Sequence, residues 1–267
     1  MLSQSLIVAR KELLDHARDV RSVASAALYA LMGPAVVLIV LIARTQQDSG
    51  ASAGQPWSTM AAVFALMTAF TGAMAVATDL IAGERERRSL LPLLVSSCSR
   101  VDLIAGKWLA ASVFALGGLF VSVLAFGLVF ASAGLPSLPP LSILLMAPAF
   151  VTLAMLAAAV EILISTTCRN VKEANTYLSM LVFVAMGVAM WLAFRPDAAQ
   201  GWWRTVPLLG QQRLLELGFS AGASSSWQSA LVAIQSVLLT FTTAAFTVLA
   251  LAVTWSVFRR DEAVYGG

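Results

Sequence analysis

Residues 79–94 read Asp79-Leu-Ile-Ala-Gly-Glu-Arg-Glu-Arg-Arg-Ser-Leu-Leu-Pro-Leu-Leu94, the densest charge cluster in a mostly apolar chain. Five charges sit side by side at Glu84, Arg85, Glu86, Arg87 and Arg88. One long apolar run ends at the cluster and a second begins at about Trp108. Between them lies a short amphipathic stretch, Leu90 to Val95, broken by Pro92. An apolar hairpin with a charged, partly helical turn suggests a docking surface for a soluble partner. The same charges also read as a topological anchor that happens to contain glutamates, and physics alone leaves the two open.

The 267 residues are 59% hydrophobic and 12% charged, against about 25% charged in a soluble globular domain. A membrane-spanning helix needs about 20 apolar residues, and six runs qualify: roughly 23–43, 59–82, 108–132, 141–166, 176–194 and 229–258. Runs of this length span as helices, because a bilayer offers no partner for an open backbone group. The expected fold is therefore an all-α polytopic membrane protein forming a single domain over 1–267. Arg10 to Arg21 carries seven charges, which breaks any apolar core of a cleavable signal.

Lys and Arg accumulate on the cytosolic side of membrane proteins. With the N-terminus inside, thirteen of the seventeen fall in cytosolic segments, and Arg44, Arg195, Arg204 and Arg213 fall outside. This predicts both termini in the cytosol, and the family resemblance given below implies a bacterial inner (plasma) membrane. The tryptophans agree, with Trp57, Trp191, Trp202, Trp203 and Trp227 near the outer boundary and Trp108 and Trp255 near the inner one. The net charge of +3 is explained by this distribution and calls for no nucleic acid. Cys98 and Cys168 fall in separate loops on the inner side and read as reduced thiols.

Residues 1–22 alternate charges with Leu2, Leu6, Leu13 and Leu14, as in an amphipathic helix on the inner membrane surface or a solvated helix leading into span 1. His16, the sole histidine, has no ligand-spaced companions, so no metal is expected. Span 4 carries Glu161, the one carboxylate well inside an apolar run. Such a residue is by default a functional candidate, here for the transport pathway, with an interhelical hydrogen bond or a vestibule position as the structural alternative. Residues 201–222 are apolar yet interrupted by Pro207, Gly210 and Gly218. They predict re-entrant or interfacial helices between spans 5 and 6, with Pro207, Leu208, Leu209, Leu214 and Leu215 as candidate outer-gate residues. Gly117-Gly118 in span 3 suggests a close helix approach.

Ser99-Arg-Val-Asp102 matches a capping box and predicts a helix start before span 3, so that the loop folds as two short helices on either side of 96–99. Glu84 is spaced to steady a helical turn with Arg87 and Arg88. No phosphate-binding loop, zinc-protease motif or nucleophile elbow occurs. Any ATP is then bound by a separate chain, and an intramembrane hydrolase lacks its catalytic pair.

Ala82-Gly83-Glu84-Arg85-Glu86-Arg87, followed by Leu90-Leu-Pro92-Leu-Leu94 and by Gly106-Lys107, resembles the signature of ABC-2-type transporter permeases. Ala9-Arg-Lys-Glu-Leu-Leu-Asp15 with Arg18-Asp19, Val171-Lys-Glu-Ala174 and Val206-Pro-Leu-Leu-Gly210 match as well, and the last two are similar to the sodium-efflux branch. The loop after span 1 is short, as in the permeases associated with nitrous oxide reductase maturation, whereas sodium-efflux permeases carry a large external domain there. The resemblance implies a non-enzymatic permease subunit of an exporter. It also implies two permease copies, alike or paralogous, and a cytosolic ATPase dimer. A coupling helix between spans 2 and 3 would meet that dimer through Gly83, Glu84, Arg85, Glu86, Arg87, Arg88, Leu90, Leu91, Leu94 and Val95. The alternative is a non-transporting scaffold or sensor that docks an ATPase through the same loop.

Overall fold

A computed structural model describes residues 2–46, 57–89, 99–134, 140–195, 201–220 and 226–259. The major helices are α1 (Leu2–Arg18), α2 (Val20–Gln46), α3 (Trp57–Thr78), α4 (Arg100–Ser132), α5 (Pro140–Thr167), α6 (Val171–Phe194), α7 (Leu209–Ser220) and α8 (Ser226–Phe258). No strand occurs among the described residues, and six helices there are long and apolar enough to cross a membrane. The inner end below is the one that the Lys/Arg asymmetry assigns to the cytosol.

Helix α3 is the hub. Of its apolar window 72% is buried, against 22–39% for the other five. Its buried face is a ladder of Ala61, Ala65, Ala69, Ala73 and Ala77, and small side chains let helices approach closely where no hydrophobic effect drives them together. Gly118 of α4 sits opposite Gly72, and a Cβ there would lie 3.4 Å from the Gly72 Cα. Gly117 has open space around it, so only one member of the expected pair is a contact.

Several helices start earlier than their apolar runs. Helix α4 begins at Arg100 rather than near 108, with Ser99 extended at its N-cap and its hydroxyl accepting the Asp102 amide at 3.1 Å. The expected separate helix after residue 99 is thus the first two turns of span 3. Helix α6 begins at Val171 rather than 176, because the Asn170 side chain accepts the Glu173 amide at 2.8 Å. Hydropathy alone excludes the polar first turns of both helices, yet capping makes them helical.

Helix α1 inverts ordinary amphipathicity. Its buried stripe is Ser5, Ala9, Glu12 and His16, whereas Leu6 and Ile7 are 58% and 68% exposed. The polar stripe packs on the start of α4, where a Cβ on Gly106 would meet Val8 at 2.6 Å and the Ser5 carbonyl oxygen at 2.8 Å.

Between α6 and α8 the chain forms a 3₁₀ turn, Gly201–Thr205, and then α7. Leu208 packs against the cluster formed by Met67 and Phe70 of α3, Ala157 of α5 and Ala185 of α6, which lies near the middle of those helices, and also against the outer cluster. From that depth α7 leads back toward the outer end, burying Leu214 and Leu215 in the cluster that holds Ala61 and Ala62. At 12 residues it is about 18 Å long, too short for a hydrocarbon core of about 30 Å.

Candidate coupling site

The charged cluster continues span 2. After Thr78 the helix widens into a π turn, Asp79–Gly83, then resumes for Glu84–Glu86. A π turn releases main-chain groups from the regular ladder and recurs at functional sites. Here the Leu80 carbonyl accepts from Lys107 Nζ at 2.7 Å, and the Ala82 amide donates to Ser165 Oγ at 3.2 Å. Arg88 at φ 55° then turns the chain out of the helix.

Consecutive side chains of the Glu84-Arg85-Glu86 triplet reach different helices. Glu84 turns inward to Lys107 of α4, with Oε1 at 2.7 Å from Nζ. Glu12 of α1 adds a second carboxylate 3.5 Å from the same ammonium. Arg85 donates to the Cys168 and Thr166 carbonyl oxygens, the latter at 3.0 Å, and so caps the C-terminus of α5 with positive charge. Glu86 accepts the Val171 amide at 3.0 Å, placing negative charge at the N-terminus of α6. Both match the helix dipole. The triplet therefore ties the inner ends of spans 2, 3, 4 and 5 together, and Glu12 adds α1.

The ion pairs differ from those the helical spacing predicts. Glu84 pairs with Lys107 instead of Arg87 or Arg88, and Arg87 pairs with Asp79 at 2.8 Å. The reason is burial: an isolated charge in the interior costs several kcal/mol (about 3–5 when a pair is broken), so the buried Lys107 takes the nearest carboxylates. Glu84 and Arg85 are drawn inward, leaving Glu86, Arg87 and Arg88 as the exposed members of the five. Leu90, Leu91, Leu94 and Val95 lie outside the described residues. In the sequence Glu12, Asp79 and Lys107 stand only as members of matched motifs, with no ion pair expected between them. The available signal was Lys107 itself, a cation at the edge of an apolar run.

Glu161 lies deep in α5 on the buried stripe of Ala157, Ala158, Ile162 and Ser165. Neither of its carboxylate oxygens has a hydrogen-bond partner among the described residues. Of the outer-gate candidates, Pro207, Leu208 and Leu209 are half-buried, and Leu214 and Leu215 are fully buried. Leu208 has φ 74°, and its amide donates to Gln211 Oε1 at 2.6 Å. Gln211 in turn donates to Thr243 Oγ1 at 2.9 Å, and Gln212 to the Ala189 carbonyl oxygen at 2.9 Å. These polar groups pin the loop to α6 and α8.

Six apolar spans, with charged ties across the inner ends of spans 2 to 5 and a loop reaching mid-depth, define a multi-pass membrane protein of the transporter kind. The chain belongs to the ABC-2 family: the family model described as "ABC-2 family transporter protein" matches residues 6–263. It is also 35% identical over 127 residues to the ABC transporter permease protein NatB of Bacillus subtilis (strain 168). That match takes in 45% of this chain and 33% of NatB, so the aligned part is a third of the relative's length.

Proposed function

We propose that the chain is the permease subunit of an ABC-2 exporter, with no catalytic activity of its own. ATP is bound and hydrolysed by a separate cytosolic ATPase dimer, and cargo passes between this chain and a second permease copy, alike or paralogous. The observation that carries the coupling role is the triplet Glu84-Arg85-Glu86, whose side chains each hold a different helix end. A displacement of the loop joining spans 2 and 3 would then be shared by spans 2 to 5 at once. Family membership and the partial likeness to NatB support a permease. The Lys/Arg asymmetry supports cytosolic termini, and the partial likeness to a Bacillus permease supports a bacterial plasma membrane.

The test is capture of the tagged chain from its native membrane, followed by identification of co-purifying proteins and an ATPase assay. A phosphate-loop ATPase is expected to co-purify and to hydrolyse ATP faster in the complex than alone. A chain that purifies without any ATPase would overturn the reading.

A further inference from the structure

A groove of about 470 Å³ runs between the C-terminal half of α1, the start of α2 and α4. Leu14 of α1, Ala27 and Ala30 of α2, and Val113, Gly117 and Val121 of α4 line it, and the rest of its lining is apolar or glycine too. Leu14, Val113 and Val121 are exposed, so the groove opens sideways to the surroundings of the helices. At Gly117 a Cβ would meet nothing within 4 Å, which marks open space and not a seam between packed helices. From Val113 to Val121 the helix climbs about 12 Å, starting just inside the inner boundary near Trp108. One leaflet's share of a hydrocarbon core of about 30 Å is close to that length. Beyond Ala30 the groove closes, because a Cβ on Gly33 would already meet the Phe126 ring at 3.1 Å.

The inner mouth carries positive charge. Arg10 and Arg18 stand one helical turn before and one after Leu14, on its side of α1. Both are exposed, and neither has an ion pair or hydrogen bond among the described residues. Lys11, by contrast, is taken up by Glu12 and Asp15.

Depth and charge together fix the occupant. A spanning helix of a second copy needs a groove that continues through the core, and this one stops halfway. A soluble partner does not reach an apolar slot at that depth. An acyl chain fits the length, and a phosphate-bearing headgroup suits guanidinium groups. We infer that this groove is a binding site for an anionic phospholipid of the inner leaflet, one acyl chain lying along Gly117 and the headgroup drawn to Arg10 and Arg18. The inference rests on the six spans and their orientation and is independent of the exporter reading.

The experiment measures equilibrium binding of radiolabelled dioleoyl phosphatidylglycerol to the purified full chain in maltoside micelles. Saturable binding is expected, displaced by unlabelled phosphatidylglycerol and at least tenfold less well by phosphatidylcholine with the same chains. Basic residues near a membrane surface attract anionic headgroups, so Arg10→Gln with Arg18→Gln should remove that preference. Gly117→Leu fills the open space and should weaken binding at least tenfold. Its thermal unfolding should stay unchanged or rise, since leucine is the better helix former. Gly127→Leu, on the same helix and equally free of neighbours, should bind as the wild type does. Absence of saturable binding, equal displacement by phosphatidylcholine, or wild-type affinity in Gly117→Leu would overturn the inference. So would a smaller oligomeric mass in Gly117→Leu with lipid binding intact, which would give the groove to a second copy. ATPase capture plays no part in these outcomes, so the two readings fail separately.

Discussion

Lys107 Nζ lies 2.7 Å from Glu84 Oε1, with the two side chains 1% and 13% exposed. The pair joins span 3 to the end of span 2 and is completed by Glu12 and the Leu80 carbonyl. Removing one partner of a buried pair costs about 3–5 kcal/mol, whereas replacing both with apolar groups can be nearly neutral. Lys107→Met should therefore lower thermal stability sharply, and adding Glu84→Leu should recover much of the loss. Thermal unfolding in detergent measures both. A single variant as stable as the wild type would show that the pair contributes little.

The inner end of span 4 depends on Arg85. Cys168 is fully buried there and its thiol hydrogen-bonds the Ile164 carbonyl oxygen. Burial also pushes the Cys168 thiol up from its ordinary value, so thiolate forms only at higher pH and labelling should be slow near neutrality. Arg85→Ala removes both carbonyl contacts, a loss of about 1–2 kcal/mol, and should speed maleimide labelling of Cys168. The assay uses a Cys98→Ser background and a pH series. Fast labelling at neutral pH before mutation would contradict the burial.

Gly106 decides whether α1 can dock. A Cβ there meets Val8 and the Ser5 backbone within 3 Å, so Gly106→Val should lift α1 from span 3 and uncover Lys107. Limited proteolysis reads this directly, as faster cleavage within residues 2–18 while the six spans stay intact. Unchanged protection would mean that the helix packs more loosely than its glycine suggests.

Glu161 tests function against stability. A buried polar group without a partner costs about 1–3 kcal/mol, so Glu161→Leu should raise the unfolding midpoint. A fall in stability would reveal a partner for the carboxylate. Glu161→Gln should insert normally, and its transport across a pH series should differ from the wild type only if a proton or cation moves through that position.

What the sequence discloses and what it conceals follow from separation along the chain. Spans, the Ser99 cap and the broken loop at 201–220 are set by neighbours within one or two turns, and Ser99 and Pro207 announce the last two. The pairing of Lys107 with Glu84 and Glu12 spans 23 and 95 residues. Local spacing favours Arg87 and Arg88, and only packing shows which carboxylate a buried ammonium can reach. The π turn is hidden for the same reason, since its freed backbone groups are claimed by Lys107 and Ser165 from other helices.

That geometry also dictates how the coupling loop must be probed. Reversing Glu84 would set a second cation against Lys107 and damage the fold, so any loss of ATPase would be ambiguous. Arg88 is exposed and makes its only described contacts through the backbone, where its amide donates to the Arg85 carbonyl oxygen. Rim charges alter association more than they alter the fold of either partner, and apolar anchors supply most of the affinity. Arg88→Glu should leave expression and unfolding unchanged while weakening ATPase capture, most clearly at low salt. Leu90→Ser with Leu94→Ser should weaken it further and at every salt concentration. Capture and ATPase stimulation are measured beside membrane expression and thermal unfolding for each variant. Wild-type capture by both variants would reduce the loop to a topological anchor, while the buried clamp on Lys107 would stand unchanged.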